Sequence, residues 1–225
     1  MKLDAVIFDW GGTLTPWHTV DPMQCWLAVT GDEALAARLR AAEDAAWVSS
    51  RDHHRSAHID DVLSVAGVEL THDQRRRYFS WWDAHSVTDP AAPEMLRALR
   101  QRGLRIGILS NTIWPRAEHE RIFGRDGVSG LIDGAVYSSE IAWTKPHPEA
   151  FRAAMAAVGV SDPARSVFVG DRLFDDIYGA QQAGMKAVHI PHSEIPVWQT
   201  TGVEGTPDAV ITGLYELPSV IDGWL

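Results

Sequence analysis

Residues 2–15, KLDAVIFDWGGTLT, decide the fold. Leu3, Ala5, Val6, Ile7 and Phe8 form a short apolar run, the pattern of a strand buried on both faces. The run stops at Asp9, and Gly11–Gly12 then turns the chain sharply. An aspartate at the carboxyl end of a buried parallel strand stands where open α/β sheets bind their ligands. Glycines directly behind it leave backbone N–H groups free to approach an anion.

Outward from this stretch the texture changes twice. From Asp21 to His85 strand-like runs vanish and helical patterns take over. Asp32–Trp47 carries apolar residues at helical spacing behind a capping Asp32. Ile59–Ala66 is a second helix stopped by Gly67, and Thr71–His85 a third, opened by the Thr71–Gln74 cap pattern. Pro16–Thr19 reads as a linker. The Arg51–Arg55 run has two readings, an anion-binding segment or a solvated loop between helices, and the spacing favours the loop. Most of Trp17, Trp26, Trp47, Trp81 and Trp82 read as core of this helical module, while Trp10 and Trp17 flank Asp9 and suit a pocket wall.

From Pro93 onward helices and strands alternate. Helices are expected at 93–101, 115–123, 148–158 and 174–183, and strands at 104–109, 135–137, 166–169, 187–190 and 209–211, with a closing helix at 214–221. Alternation of this kind implies a parallel sheet covered on both faces. Right-handed crossovers then collect the carboxyl ends of the strands at one edge, so Asp9, Ser110 and Asp171 should converge there.

Four motifs, each at an expected strand end, resemble the signature of the haloacid dehalogenase (HAD) superfamily. Asp9-Trp10-Gly11-Gly12-Thr13 is similar to its first motif, D-x-D-G-T. Ile106–Asn111, IGILSN, is similar to the second, a strand closed by a hydroxyl residue. Lys145-Pro146 resembles the third, and Gly170-Asp171 with Asp175, Asp176 and the following GAQQAG resembles the fourth. The resemblance implies a Rossmann-like, doubly wound α/β core (residues 1–15 and 88–225) with an inserted helical cap (residues 16–87). It also implies catalytic roles for Asp9, Ser110 and Lys145. Gly11, Gly12 and Asn111 would bind substrate, and Asp9, Gly11, Asp171 and Asp176 would form a Mg²⁺ site. Asp175 reads better as a helix cap.

One position departs from the pattern. Gly11 stands where the family carries a second Asp, its general acid/base. Haloacid dehalogenases also lack that residue but generally lack the acidic fourth motif, which Asp171 and Asp176 retain here. Phosphonoacetaldehyde hydrolase carries a similar D-W-A-G-T but needs a cap lysine, and this chain has none between Lys2 and Lys145. The resemblance therefore points to a hydrolase of small phosphate esters with a nucleophilic Asp9, slowed by Gly11. The other reading is an impaired relative that binds a phosphorylated ligand or a protein partner. His18, nearest in sequence to Asp9 among the histidines of the helical module and its linker, is the candidate substitute for the acid/base, against the plainer reading of an exposed linker residue.

Bulk properties narrow the classes. The 225 residues carry a formal charge of −10 with no basic block, which argues against a nucleic-acid surface. Lys2, Lys145 and Lys186 are the only lysines, and Cys25 is the only cysteine, so no disulfide framework or paired-cysteine metal site can form. The opening segment is too short and too acidic for a signal peptide, no run approaches a membrane span, and a cytoplasmic protein is expected. Oligomeric state is left open.

Overall fold

The computed structural model describes residues 2–193 and 202–225. Its frame is a six-stranded, all-parallel sheet in the order β3-β2-β1-β4-β5-β6. The strands are β1 (Ala5–Phe8), β2 (Arg105–Ser110), β3 (Gly134–Tyr137), β4 (Ser166–Gly170), β5 (Lys186–His189) and β6 (Ala209–Val210). The first strand lies in the middle. Connections run outward from it to β2 and β3, then jump back across it to β4. The order therefore reverses between β1 and β4, and such a switch point leaves a crevice at the carboxyl ends of the two strands. Phe8 is in register with Ile108 on one side and Val169 on the other. Asp9, Ser110 and Asp171 accordingly leave the sheet at nearly the same level.

Alternate strand residues serve two cores. Val6, Phe8, Ile106, Ile108 and Val169 pack on one face with α5 (Ala92–Gln101) and α9 (Leu217–Asp222). Ala5, Ile7, Leu109 and Phe168 pack on the other with α7 (Pro148–Ala157) and α8 (Gly179–Gln182). Burial on both faces is why the strands are almost wholly apolar rather than alternating. The remaining helix of this part is α6 (Arg116–Arg125).

Between β1 and α5 lie four helices: α1 (Pro22–Thr30), α2 (Glu33–His53), α3 (Ile59–Ala66) and α4 (His72–Trp82). They enclose an apolar cluster of their own, with Trp26, Leu39, Val62, Leu63 and Tyr78 fully or almost fully buried. The expected caps form. Asp32 Oδ1 accepts the Leu35 N–H at 3.0 Å, and Thr71 and Gln74 close a reciprocal capping box. Pro22–Thr30 is a helix that the sequence reading left unassigned; Asp21 caps it and Pro22 opens it. The Arg51–Arg55 expectation is corrected. Arg51–His53 complete the last turn of α2, His54 caps it in the left-handed conformation (φ 54°), and the Arg55 guanidinium lies 4.2 Å over the Trp143 ring.

The helical segment docks on two loops of the α/β part. Ile59 N–H donates to Ile113 O at 2.8 Å and the Trp114 indole donates to Tyr78 OH at 3.3 Å. Thr144 N–H donates to His54 O at 3.0 Å, and Ser50 Oγ to Thr144 Oγ1 at 3.0 Å. Among the described residues no helix is long and apolar enough to cross a membrane.

Candidate active site

Each motif delivers its side chain to the crevice by a separate local device. Asp9 follows β1 directly, its N–H donating to Val169 O at 2.9 Å. The chain then turns through Gly12 at φ 85°, a left-handed conformation that favours glycine. A Cβ on Gly12 would lie 2.7 Å from Asp171 Oδ2, so the turn is also a close approach to the facing carboxylate. Gly11 is different. A Cβ there meets nothing within 4 Å, so the position is open.

Lys145 is 2% exposed. Its backbone is held by Asn111, whose Oδ1 accepts the Lys145 N–H at 2.8 Å and whose Nδ2 donates to Lys145 O at 3.0 Å. Asn111, expected to meet substrate, borders the cavity and also positions this lysine through its amide. The ammonium lies 2.7 Å from Asp9 Oδ1 and 2.7 Å from Asp176 Oδ1. Such charge-assisted contacts are strong where water is excluded.

Three carboxylates, Asp9, Asp171 and Asp176, are buried together, each offering an oxygen within 4.8 Å of the others. Asp176 has both oxygens engaged, one by Lys145 and the other by the Arg172 N–H at 2.9 Å. Asp171 accepts from Thr13 Oγ1 at 3.2 Å and from Ser193 Oγ. Hard oxygen donors at this spacing suit a Mg²⁺ ion, which keeps several waters and takes few protein carboxylates. Burial pushes Asp9 up to about 6, although the Lys145 ammonium pulls the other way. Burial also raises Asp171 and Asp176. Lys145 moves upward as well: desolvation opposes its charge, but the Asp176 and Asp9 carboxylates outweigh that cost. The Lys145 ammonium thus holds two of the three crowded acids, Asp9 and Asp176.

Asp175 is a correction. The helical turn over Leu173–Tyr178 is π-type, preceded by Arg172 with no side-chain cap, and Asp175 pairs with the Arg172 guanidinium at 3.4 Å. The bond back to the start of this turn comes from Asp176 instead. Both Arg172 and Asp175 border the cavity above Asp9. Sequence reading passed over Arg172. The available signal was a cation placed between Asp171 and two further acids.

That cavity, about 350 Å³, lies between the strand ends and the helical segment. Ser110, Gly11, Gly12 and Lys145 line its polar floor, and Trp10 and Trp17 border it as expected. Trp47, Tyr78, Trp82 and Trp114 form further walls. Trp47 and Trp82 pack against the core of the helical module, as expected, and border the cavity as well. His18 borders the cavity too, exposed, with its ring 5.6 Å from that of His85.

A protein-family model for haloacid dehalogenase-like hydrolases matches residues 3–184. A glyceraldehyde 3-phosphate phosphatase of Pyrococcus abyssi is 37% identical over 99 residues, covering 44% of this chain and 40% of the relative. Among the first curated relatives, the chain spans between 40% and 64% of the relative's length. A HAD phosphatase structure from Thermococcus onnurineus superposes with a TM-score of 0.70 at 22% identity, over 98% of this chain and 99% of the other. The L-2-haloacid dehalogenase of Xanthobacter autotrophicus shares the fold at TM-score 0.68 and 19% identity, over 99% and 100% of the two chains. With the family model matched across most of its length, the chain belongs to the haloacid dehalogenase-like hydrolases.

Proposed function

We propose that the protein is a Mg²⁺-dependent phosphatase that hydrolyses a small phosphate ester in the cytoplasm through a phosphoryl group carried on Asp9. The observation behind this reading is the buried Asp9–Asp171–Asp176 cluster with one ammonium 2.7 Å from both Asp9 and Asp176. Asp9, Asp171 and Asp176, with Gly11 adjoining, would hold the metal, which when bound supplies positive charge beside the phosphoryl oxygens.

The remaining work belongs to the chain. An Asp9 oxygen attacks phosphorus while the P–O bond to the leaving group breaks, and water later releases phosphate and restores the carboxylate. Lys145 restrains Asp9 and offsets charge on the transferred group. Ser110 Oγ and the backbone N–H groups of the Gly11–Gly12 turn orient the phosphoryl oxygens. The segment 16–87 acts as a cap that completes the cavity and excludes water while the acyl phosphate exists. The partner is a small phosphorylated molecule, and neither nucleic acid nor membrane is required.

A general acid/base contributes about 10²–10⁴-fold, and Gly11 offers no such group, so turnover is slow. The same glycine favours a second reading, a ligand-binding protein that has lost turnover. The assay that separates them incubates the protein with Mg²⁺ and an activated aryl phosphate. Turnover abolished in Asp9→Asn supports the phosphatase, and turnover absent in the wild type supports the binding protein.

A further inference from the structure

We infer that the substrate is an aryl phosphate, whose leaving group departs as a phenolate without a proton donor. The inference rests on the phosphatase reading above and names its substrate class. Two independent features carry it.

The first is the empty position at residue 11. No side chain stands there, and a Cβ would meet nothing within 4 Å. Residue 11 thus supplies no acid beside the breaking bond. A departing alkoxide is about as basic as hydroxide, its conjugate acid far weaker than a phenol. A phenol titrates near 10, as tyrosine does. The second feature is the wall of the cavity. Trp17, Trp47, Tyr78, Trp82 and Trp114 border it, an aromatic wall beside Asp9, Ser110 and Lys145. Trp114 lies 6.0 Å from Trp82 and 6.4 Å from Tyr78, ring centre to ring centre and edge-on, so these rings pack into one wall. Aromatic rings pack against such faces in offset or edge-on arrangements. Arg172 borders the same cavity, its guanidinium 5.7 Å from the Trp17 ring centre and paired with Asp175 at 3.4 Å.

The step balances without an acid. The Asp9 oxygen forms a bond to phosphorus, the aryl P–O bond breaks, and its electron pair stays on the phenolate oxygen. Water then hydrolyses the aspartyl-phosphate, and the proton it releases goes through solvent to the phenolate. The net reaction is aryl phosphate plus water to phenol plus inorganic phosphate.

The test measures kcat/KM with Mg²⁺ for substituted phenyl phosphates of one size and for alkyl phosphates of matched size. It also measures inhibition by free phenols and by aliphatic alcohols. The expected result is kcat/KM falling steeply as the phenol becomes less acidic, with alkyl esters about 100-fold slower or worse. Gly11→Asp flattens the slope. Phenols inhibit better than the alcohols, and Trp82→Leu removes that difference. Asp9-dependent turnover with a flat slope, or with alkyl esters within about threefold of aryl ones, overturns the inference and leaves the phosphatase standing. Absence of any Asp9-dependent turnover overturns the parent reading and this one with it.

Discussion

Replacing Lys145 by Met tests the electrostatics of the site without reference to any substrate. The substitution keeps an apolar stem of similar length beside Phe168, whose ring centre lies 5.2 Å from the ammonium, and removes only the charge. The ammonium makes two contacts at 2.7 Å to carboxylates that are themselves buried. Breaking a buried pair by deleting one partner typically costs about 3–5 kcal/mol. For a chain of this size that corresponds to a fall in melting temperature of roughly 6–20 °C. The cost depends on pH. With the lysine present, burial already raises Asp9 to about 6. Without it the acids rise further and take up protons, which replace the lost cation at low pH. Metal-free Lys145→Met is therefore most destabilised at about pH 8 and least at about pH 5. Thermal melts in a chelator across that range, wild type against variant, provide the assay. A variant that melts within about 2 °C of wild type at the alkaline end would refute the reasoning, since roughly 1 kcal/mol or less would then ride on the ammonium.

Four further outcomes follow from the same geometry. Gly11→Asp introduces a carboxyl group into open space and raises turnover of poorly activated phosphate esters by about 10²-fold or more; steady-state rates on alkyl phosphates check it. Gly12→Ala forces a Cβ against Asp171 at a positive φ, so it lowers both the melting temperature and Mg²⁺ affinity, read by a melt and by metal titration. Burial and then the Arg116 charge hold His119 down at about 3. Its neutral ring thus contributes fully above the unfolded value near 6.5, and that contribution is lost as pH falls towards 3, by roughly 3–5 kcal/mol in all. His119→Gln should flatten the acid limb of a stability–pH curve, and an unchanged limb would count against it. Glu43 is buried in the helical segment, where its Oε2 accepts the Trp26 indole N–H at 2.8 Å, and burial raises its pKa. Since ionising it costs stability as pH rises, Glu43→Gln leaves the melting temperature at neutral pH unchanged or higher, whereas Glu43→Ala strands the indole and lowers it by roughly 1–3 kcal/mol equivalent.

Legibility differed with the range of the forces involved. Strand β1 and the cap of α2 rest on neighbours in sequence, an apolar run ended by Asp9 and an Asp32 three residues before Leu35, and both stood where expected. The last turn of α2 did not, because Arg51–His53 look like loop residues until Ser50 and His54 dock on Thr144 across the chain. Asp175 and Asp176 are adjacent and alike in type. Only the π-type turn after β4 sends one to Lys145 and the other to Arg172.

By itself the sequence determined the parallel α/β core, the helical segment inserted after its first strand, and Asp9, Ser110 and Asp171 at the strand ends. Those features follow from apolar periodicity, capping and the chirality of crossovers, which are local or generic. The tertiary structure alone decided which oxygens Lys145 holds, that Asn111 steadies that lysine's backbone, and that tryptophans from the helical segment face the acids across one cavity. Those facts depend on side-chain distances of a few ångströms between residues far apart in the chain, and on the charge balance that burial then imposes. Neither is encoded in any one stretch of sequence.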